Sequence, residues 1–448
     1  MNVTVITIVM FVSMMALLIT GRQVFLIVGA VATFSAIALW GAGGENMVTY
    51  VTVGMIYWDV MLSFPAFIFM GYMLARSGMA DDLYNMIYKW AGGLKGGLGM
   101  GTIGISALIG AIQGTCVSGQ VAMGLIALPS MIKRNYDKRI VTGMVQAGGG
   151  LGYLIPPSLV FVLYGMLARV PIGHLWIAGA IPGFMLAGMY IGYIGIRCQI
   201  QPEIGPPIPI EERASLKEKI LSMRAGVAPL ALLFLVMGLL MMGVTTITES
   251  SAIGALGSIG VAAIYRRLNR QDFLAVVDHT WRLTSIIMWI FVAAILFGAV
   301  YDGLGAGKAF DAMVLGVVGQ NPRMIVGMMV GIYVLLGMVM DDFAMLIVTA
   351  PLFIPVLQSL EVNMVWFGVL YCVTVLVALM TPPFGFALFI MKGLVPKDSG
   401  ITMVDIYRSI IPFVAINGVL LVSLIFYPQI AMWLPSKIFA GVSLGILK

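Results

Sequence analysis

The sequence predicts an all-α polytopic membrane protein, and three observations carry that reading. The 448 residues are 61% hydrophobic and only 10% charged, whereas a soluble domain carries about 25% charged residues. The apolar runs between charges reach the ~20 residues that one bilayer-spanning helix needs. Two of these runs, QAGGGLGYLIPPSLVF (146–161) and VLVALMTPPFGFALFI (375–390), each hold a Pro-Pro pair. A proline inside a helix removes a donor and clashes with the preceding turn, at ~3 kcal/mol or more. Each pair therefore marks a break in a membrane helix.

Residues 3–20 lack a basic flank and an A-x-A-like cleavage site, so they read as a membrane helix and not as a removed signal. With 24–40 they form an N-terminal frame, residues 1–60. Residues 61–77 make the next crossing. Within 79–90, Leu83, Met86, Ile87 and Trp90 share one helical face while Asp82, Asn85 and Lys89 lie away from it, which fits a helix in the membrane interface. Short cytoplasmic loops are rich in Lys and Arg. That rule puts three clusters inside: Lys133, Arg134, Lys138 and Arg139; the Pro-rich linker 197–224; and Arg266, Arg267 and Arg270.

The block 97–132 is long enough to cross twice and must begin and end inside. QGTCVSGQ (113–120) interrupts it, so it reads as a re-entrant helical hairpin. Non-helical backbone at membrane depth needs protein or a water-filled cavity around it. Hydropathy alone does not separate this from two full-length helices. Residues 140–167 then cross outward through Pro156 and Pro157, and 174–196 return. After the linker, 225–242 and 249–265 form a second pair of frame helices, and 271–281 a weaker amphipathic arm, together 225–281. Residues 282–301 leave the cytoplasm. A second hairpin, 321–360, is interrupted by Met340, Asp341 and Asp342 and opens from outside. Residues 362–391 cross inward through Pro382 and Pro383 toward Lys392 and Lys397. Residues 403–427 go out, leaving a tail, 428–448.

Two stretches, 61–196 and 282–427, thus repeat one order: helix, hairpin, Pro-Pro helix, helix. Pro129 and Pro351 hold matching places in the second hairpin arms. Charge logic gives the halves opposite orientation. Such an inverted-topology repeat points to a secondary transporter with its site at the repeat interface.

The breaks suggest the chemistry. A helix that stops exposes carbonyls and one that starts exposes amides, and carbonyl ends attract cations. In the first break Gly148, Gly149, Gly150 and Gly152 permit a non-helical turn, and Pro156 or Pro157 can open the next half at its first position. Opposite stand the tip hydroxyls of Thr115 and Ser118, with Gln113, Cys116 and Gly119 completing the tip. Carbonyl and hydroxyl oxygens suit a hard cation such as Na⁺. In the second break Thr381 precedes Pro382, opposite Gly337, Asp341 and Asp342. Carboxylates at membrane depth are functional by default; the alternative for this pair is an N-cap on the following arm. The glycines could equally serve close helix packing, and the hydroxyls could bond back to their own turns. Glu249, with Thr246 or Thr248, reads as a structural helix cap.

Other classes find little support. Cys116, Cys198 and Cys372 have no metal-ligand spacing. His174 and His279 lie in connecting segments and pair with no serine motif, so a hydrolase is disfavoured. The net charge of +6 reflects membrane flanks, not nucleic-acid binding. No organic cofactor is indicated.

The stretches GTCVSGQVAMG, PSMIKRNYDKRI, AGGGLGYLIPPS, AGAIPGFMLAG, TITESSAIGA, GMVMDDFAMLIVTAPLFIPV and MTPPFGFALF resemble the large membrane subunit of tripartite ATP-independent periplasmic (TRAP) transporters. The resemblance runs through nearly the whole chain. It implies an elevator-type, Na⁺-coupled importer of small organic acids in the bacterial inner membrane. A periplasmic substrate-binding protein would deliver substrate and a small four-helix membrane subunit would support it. Carried over, one sodium site uses Thr115 and Ser118 with carbonyls near Gly152, Ile155 and Pro157; the other uses Gly337, Ala378, Thr381 and Phe384. The chain departs from the family pattern in its first tip, Gln113-Gly114-Thr115-Cys116, and at Ala378, where glycine is usual. A single-component Na⁺/anion carrier of similar architecture is the rival reading.

Overall fold

The computed structural model describes residues 3–439 except 19, 41, 42, 320, 339 and 384. Every regular element among them is a helix. The N-terminal frame is α1 (Val3–Leu18), α2 (Val24–Trp40) and α3 (Gly44–Ile56), the last not read from sequence. There follow α4 (Ser63–Arg76), α5 (Met79–Ala91), α6 (Gly97–Gln113), α7 (Cys116–Lys133), α8 (Lys138–Gly150), α9 (Leu159–Ala168) and α10 (Ile172–Ile200). Then come α11 (Leu216–Ser222), α12 (Arg224–Met241), α13 (Ile247–Ile264) and α14 (Arg270–Gly303). The last group is α15 (Ala306–Val318), α16 (Pro322–Gly337), α17 (Asp342–Ser359), α18 (Met364–Met380), α19 (Phe386–Leu394), α20 (Met403–Phe426) and α21 (Gln429–Ile438). Eight of the helices are long and apolar enough to cross a membrane.

The order α4 to α10 recurs as α14 to α20, element for element. The match extends to a member that sequence reading passed over: α15 occupies the place of α5. Each of these two 13-residue helices follows a glycine in the left-handed region, Gly78 (φ 71°) and Gly305 (φ 77°). Only glycine adopts that conformation without steric cost.

One expectation needs correction. The arm 271–281 is not a separate helix, and no boundary falls between 281 and 282. Residues 270–303 form one helix, capped by Asn269 through Asp272 N. The stretch 271–297 holds no glycine or proline to stop it, and an Asp278–Arg282 pair at 2.8 Å spans the expected junction. The tail holds one helix, α21; residues 440–448 fall outside the described residues.

Short-range chemistry sets many of the starts. Asp137 accepts from Arg139 N and Ile140 N to open α8. Thr246 and Glu249 form a reciprocal capping box on α13, as do Thr402 and Asp405 on α20. The linker is bonded to the first half: Gly96 N donates to Gly205 O (2.8 Å), Asp137 N to Ile204 O (3.0 Å) and Ile208 N to Gly92 O (2.7 Å). The helix α5 is tied down by its polar residues. Tyr88 donates to Glu212 at 3.0 Å, Arg134 donates to Glu212 at 2.8 Å, and Asp82 pairs with Arg267 at 2.9 Å. Burial of Leu83 on its other face agrees with the amphipathic pattern.

Candidate functional site

The first break is built differently from the sequence reading. Gly148, Gly149 and Gly150 stay helical, as the last residues of α8, and a short turn, Leu151–Tyr153, follows. Their smallness serves contact. A Cβ on Gly149 would lie 2.7 Å from Gln120 N, and one on Gly152 would lie 2.8 Å from Gly110 Cα. The backbone of the break therefore touches the backbone of the hairpin α6–α7 directly. The prolines do not open the next half. Ser158 caps α9, accepting from Phe161 N, and Pro156 and Pro157 stand just before the cap. The Pro156–Pro157 and Pro382–Pro383 bonds are both cis.

The tip of the first hairpin turns at Gly114 (φ 66°). Gly114 N donates to Gly110 O (2.7 Å), and Gly114 O accepts from Leu159 N (3.2 Å). The tip is thus bonded to the helix beyond the break. A Cβ at Gly114 would lie 3.2 Å from Pro157 O, so Pro157 is brought to the tip, while Gly152 packs one turn lower on Gly110. Thr115 caps α7: its hydroxyl accepts from Ser118 N (3.4 Å) and donates to Ser118 Oγ (2.8 Å). Both hydroxyl oxygens keep lone pairs beyond these bonds. Gln113, Thr115, Ser118 and Tyr72 line one small space, and Gln113 Oε1 is buried without a hydrogen-bond partner. Ile155 sits on the far side of the break, its backbone against Gly183 of α10.

The second break runs from Thr381 to Gly385, between α18 and α19. Thr381 Oγ1 donates back to Val377 O at 2.5 Å. Its donor is spent within its own turn, and its lone pairs are left to accept or coordinate. Ala378 O accepts from Thr381 N at 3.1 Å. Gly337, the last residue of α16, lies directly on Ala378: a Cβ on Gly337 would come within 2.6 Å of the Ala378 methyl. Phe384 lies outside the described residues. Gly385 was missed by sequence reading, yet a Cβ there would stand 2.4 Å from Leu379 O. Only glycine fits, and the single glycine of the FGF stretch after TPP was the available signal.

The two aspartates separate. Asp341 caps α17, its side chain accepting from Ala344 N at 2.8 Å. Asp342 is buried at 5% exposure, its main-chain oxygen accepts from Tyr371 OH at 2.6 Å, and its Oδ2 has no hydrogen-bond partner. Its carboxylate interacts with Tyr153 of the first break. Cys116 and Gly119 face inward on α7, Gly119 against Gly149.

The halves also meet through Gln120, which sequence reading quoted but gave no role. Its Nε2 donates to Ala387 O in α19 at 2.7 Å. It is fully buried, and its Oε1 lacks a partner. A glutamine four residues past Cys116 on an apolar arm was the signal. The result is an interior of carbonyl, hydroxyl, amide and carboxylate oxygens gathered from both halves, set where two helices are broken. That donor set suits a hard cation.

The described residues form an all-helical fold of two repeated halves, each with a hairpin tip meeting a broken helix. The solved structure of the Alcanivorax borkumensis YdaH transporter shares it, with a TM-score of 0.63 at 14% identity over 87% of this chain and 90% of that one. The family described as tripartite ATP-independent periplasmic transporter, DctM component, matches residues 11–430. The chain belongs to this family, as a TRAP transporter large membrane subunit. Among its relatives is the C4-dicarboxylate TRAP transporter large permease protein DctM of Pseudomonas aeruginosa, 28% identical over 84% of this chain and 86% of that one. The ectoine/5-hydroxyectoine TRAP transporter large permease protein UehC of Ruegeria pomeroyi is 27% identical over 96% and 99%. The sialic acid TRAP transporter large permease protein SiaM of Vibrio cholerae is 24% identical over 92% and 95%.

Proposed function

We propose that this chain is the importing subunit of a sodium-coupled organic-acid transporter in the bacterial inner membrane, working by an elevator mechanism. One observation carries the reading: each hairpin tip is seated on a broken helix, Gly114 on Leu159 and Gly337 on Ala378. Two candidate sets of coordinating oxygens, one at each tip, would then be related by the repeat. One ion would use Thr115 and Ser118 with the carbonyls of Gly152, Ile155 and Pro157. The other would use Gly337, Ala378, Thr381 and Phe384. Basic residues at the α7–α8 junction, in the linker and after α13 support an inside assignment. On that assignment the hairpins α6–α7 and α16–α17 are re-entrant from opposite sides and the halves are inverted. The hairpins and broken helices move as a transport body against the frame, residues 1–60 and α12–α13.

The relatives' names supply the substrate class. C4-dicarboxylates, ectoine and sialic acid all bear a carboxylate, so a small carboxylate-bearing organic acid is the proposed cargo. A periplasmic binding protein and a small four-helix membrane subunit complete the system. The test is uptake of labelled succinate, ectoine and N-acetylneuraminate into proteoliposomes holding the full complex, with and without an inward sodium gradient. Uptake of one of them should follow the gradient. Transport indifferent to sodium would sink the coupling, and uptake without any binding protein would favour the single-component reading.

A further inference from the structure

Outside the two breaks, one cavity of about 380 Å³ combines apolar walls with charged groups. It lies where α9, α14 and α17 end, between Arg169, Asp302 and Gln358, with Trp58 at its side. All three helix ends point away from the basic clusters, so this is the outer face on the orientation proposed above. Arg169 is the C-cap of α9 and holds a left-handed backbone (φ 55°). A non-glycine residue there costs roughly 1–2 kcal/mol, and such strain is retained where the surroundings impose it, often at functional sites. Its exposed guanidinium forms no ion pair within the described residues. A second cavity, about 650 Å³, lies on its other flank and shares Trp58, Met166 and Arg169. Arg169 therefore stands at the junction of two outward spaces, the first walled by α9, α14 and α17, the second by α9, the start of α10 and the facing ends of α12 and α13. Small residues, among them Gly298 and Ala299, keep the wall of the first cavity open.

We propose that this cavity is an outer loading site that receives the cargo before it reaches the hairpin tips. Arg169 would take a carboxylate, for which a guanidinium offers paired donors. Asp302, which forms no ion pair among the described residues and lines the same cavity, disfavours a second carboxylate and favours a hydroxyl or ammonium donor. The site therefore selects monocarboxylates that also carry a donor, zwitterions above all, over plain dicarboxylates. This inference rests on the organic-acid import proposed above.

The test uses the full complex in proteoliposomes with Ala299→Cys as reporter. Cys116, Cys198 and Cys372 are buried, so a membrane-impermeant thiol reagent reads the new cysteine. Gln358→Cys, at an exposed position, is a second reporter should the first disturb the wall. In sodium-free buffer ectoine should slow modification several-fold and succinate much less. Arg169→Gln should abolish the protection, and Asp302→Asn should bring succinate level with ectoine. In uptake, Arg169→Gln should raise KM about tenfold, the loss expected for one charged hydrogen bond, with the maximal rate and sodium dependence kept. A complex that still imports with sodium but gives neither reporter any protection overturns the loading site. Succinate protecting better than ectoine overturns the selectivity. Protection without sodium-driven uptake would leave this site standing and remove the coupling proposed above.

Discussion

Gln120 and Ala387 join the two halves of the protein by one side-chain bond: the amide Nε2 of the first hairpin donates to the carbonyl that opens the turn beyond the second break, at 2.7 Å. Both residues are fully buried or nearly so. Replacing Gln120 by Leu removes this bond between the halves while Ala387 O, near the start of α19, keeps its intrahelical partner, a loss of about 0.5–1.5 kcal/mol. The expected outcome is a lower unfolding midpoint for the purified protein in nanodiscs, with Gln120→Glu lowered as well because it cannot donate when ionised. An unchanged midpoint in both variants would mean that the bond does not hold the halves.

The glycine contacts make a sharper comparison. Gly152→Ala would drive a methyl to 2.8 Å from the backbone of Gly110, and overpacking of this kind costs about 1–3 kcal/mol. Gly104→Ala, in the same hairpin, meets nothing within 4 Å and gains helix propensity of about 0.5–1 kcal/mol. Uptake and midpoint should fall in the first variant and hold or rise in the second. Equal behaviour of the pair would refute direct backbone seating of the break on the hairpin.

Thr381 and Asp341 test the division between structure and ion binding. Thr381→Ala removes a hydroxyl whose only donated bond runs to its own turn at Val377, so the fold should be little affected. If its lone pairs hold sodium, the sodium concentration for half-maximal uptake should rise about tenfold in Thr381→Ala and stay near the parent in Thr381→Ser, since one ligand bond to an ion resembles a charged hydrogen bond. Asp341→Ala should cost about 1 kcal/mol as a lost cap, and Asp341→Asn much less. Unaltered sodium dependence in Thr381→Ala would take that residue out of the site.

Acid should loosen the linker first. Hydrogen bonding from Arg134, then from Tyr88, holds the Glu212 carboxyl below its ordinary value. A carboxyl lowered in the folded state stabilises fully above its unfolded value and loses that contribution as pH falls through the folded one. Docking of residues 204–213 should therefore be intact at neutral pH and weaken below the ordinary carboxylate range. Protection of the amides across this segment, relative to their intrinsic exchange rate at each pH, should fall there, and Glu212→Gln should remove the step. Because Glu212 is at the surface, added salt should shrink the effect.

Much of this was legible in the sequence, because the strongest signals were physical exclusions. Proline pairs cannot sit inside a regular helix, and two matching pairs located both breaks. Polar interruptions at 113–120 and 340–342 located both tips. What failed was detail governed by three-dimensional neighbours. Gly148 to Gly150 look like helix breakers in one dimension, but they stay helical and serve packing: Gly148 lies on Ser106 of α6, Gly149 on Gln120 of α7 and Gly150 on Leu376 of α18, where no side chain would fit. Asp341 and Asp342 look alike as a pair; one residue of helical rotation sends the first to the cap and the second inward. The helix α15 escaped because Gly305 and Lys308 disguise an amphipathic segment as a loop. Gln120 went unassigned because its partner lies in the other half of the chain.

The bonded linker has a consequence for how the chain could be divided. Up to Arg213 its backbone bonds run to α5 and to the ends of the first hairpin, and beyond it Trp90 reaches Lys219 O of α11 at 2.9 Å. A gene cut between the codons for Arg213 and Ser215 would yield two polypeptides, each keeping one whole repeat. The second would carry α11 as the handle by which it docks on the first.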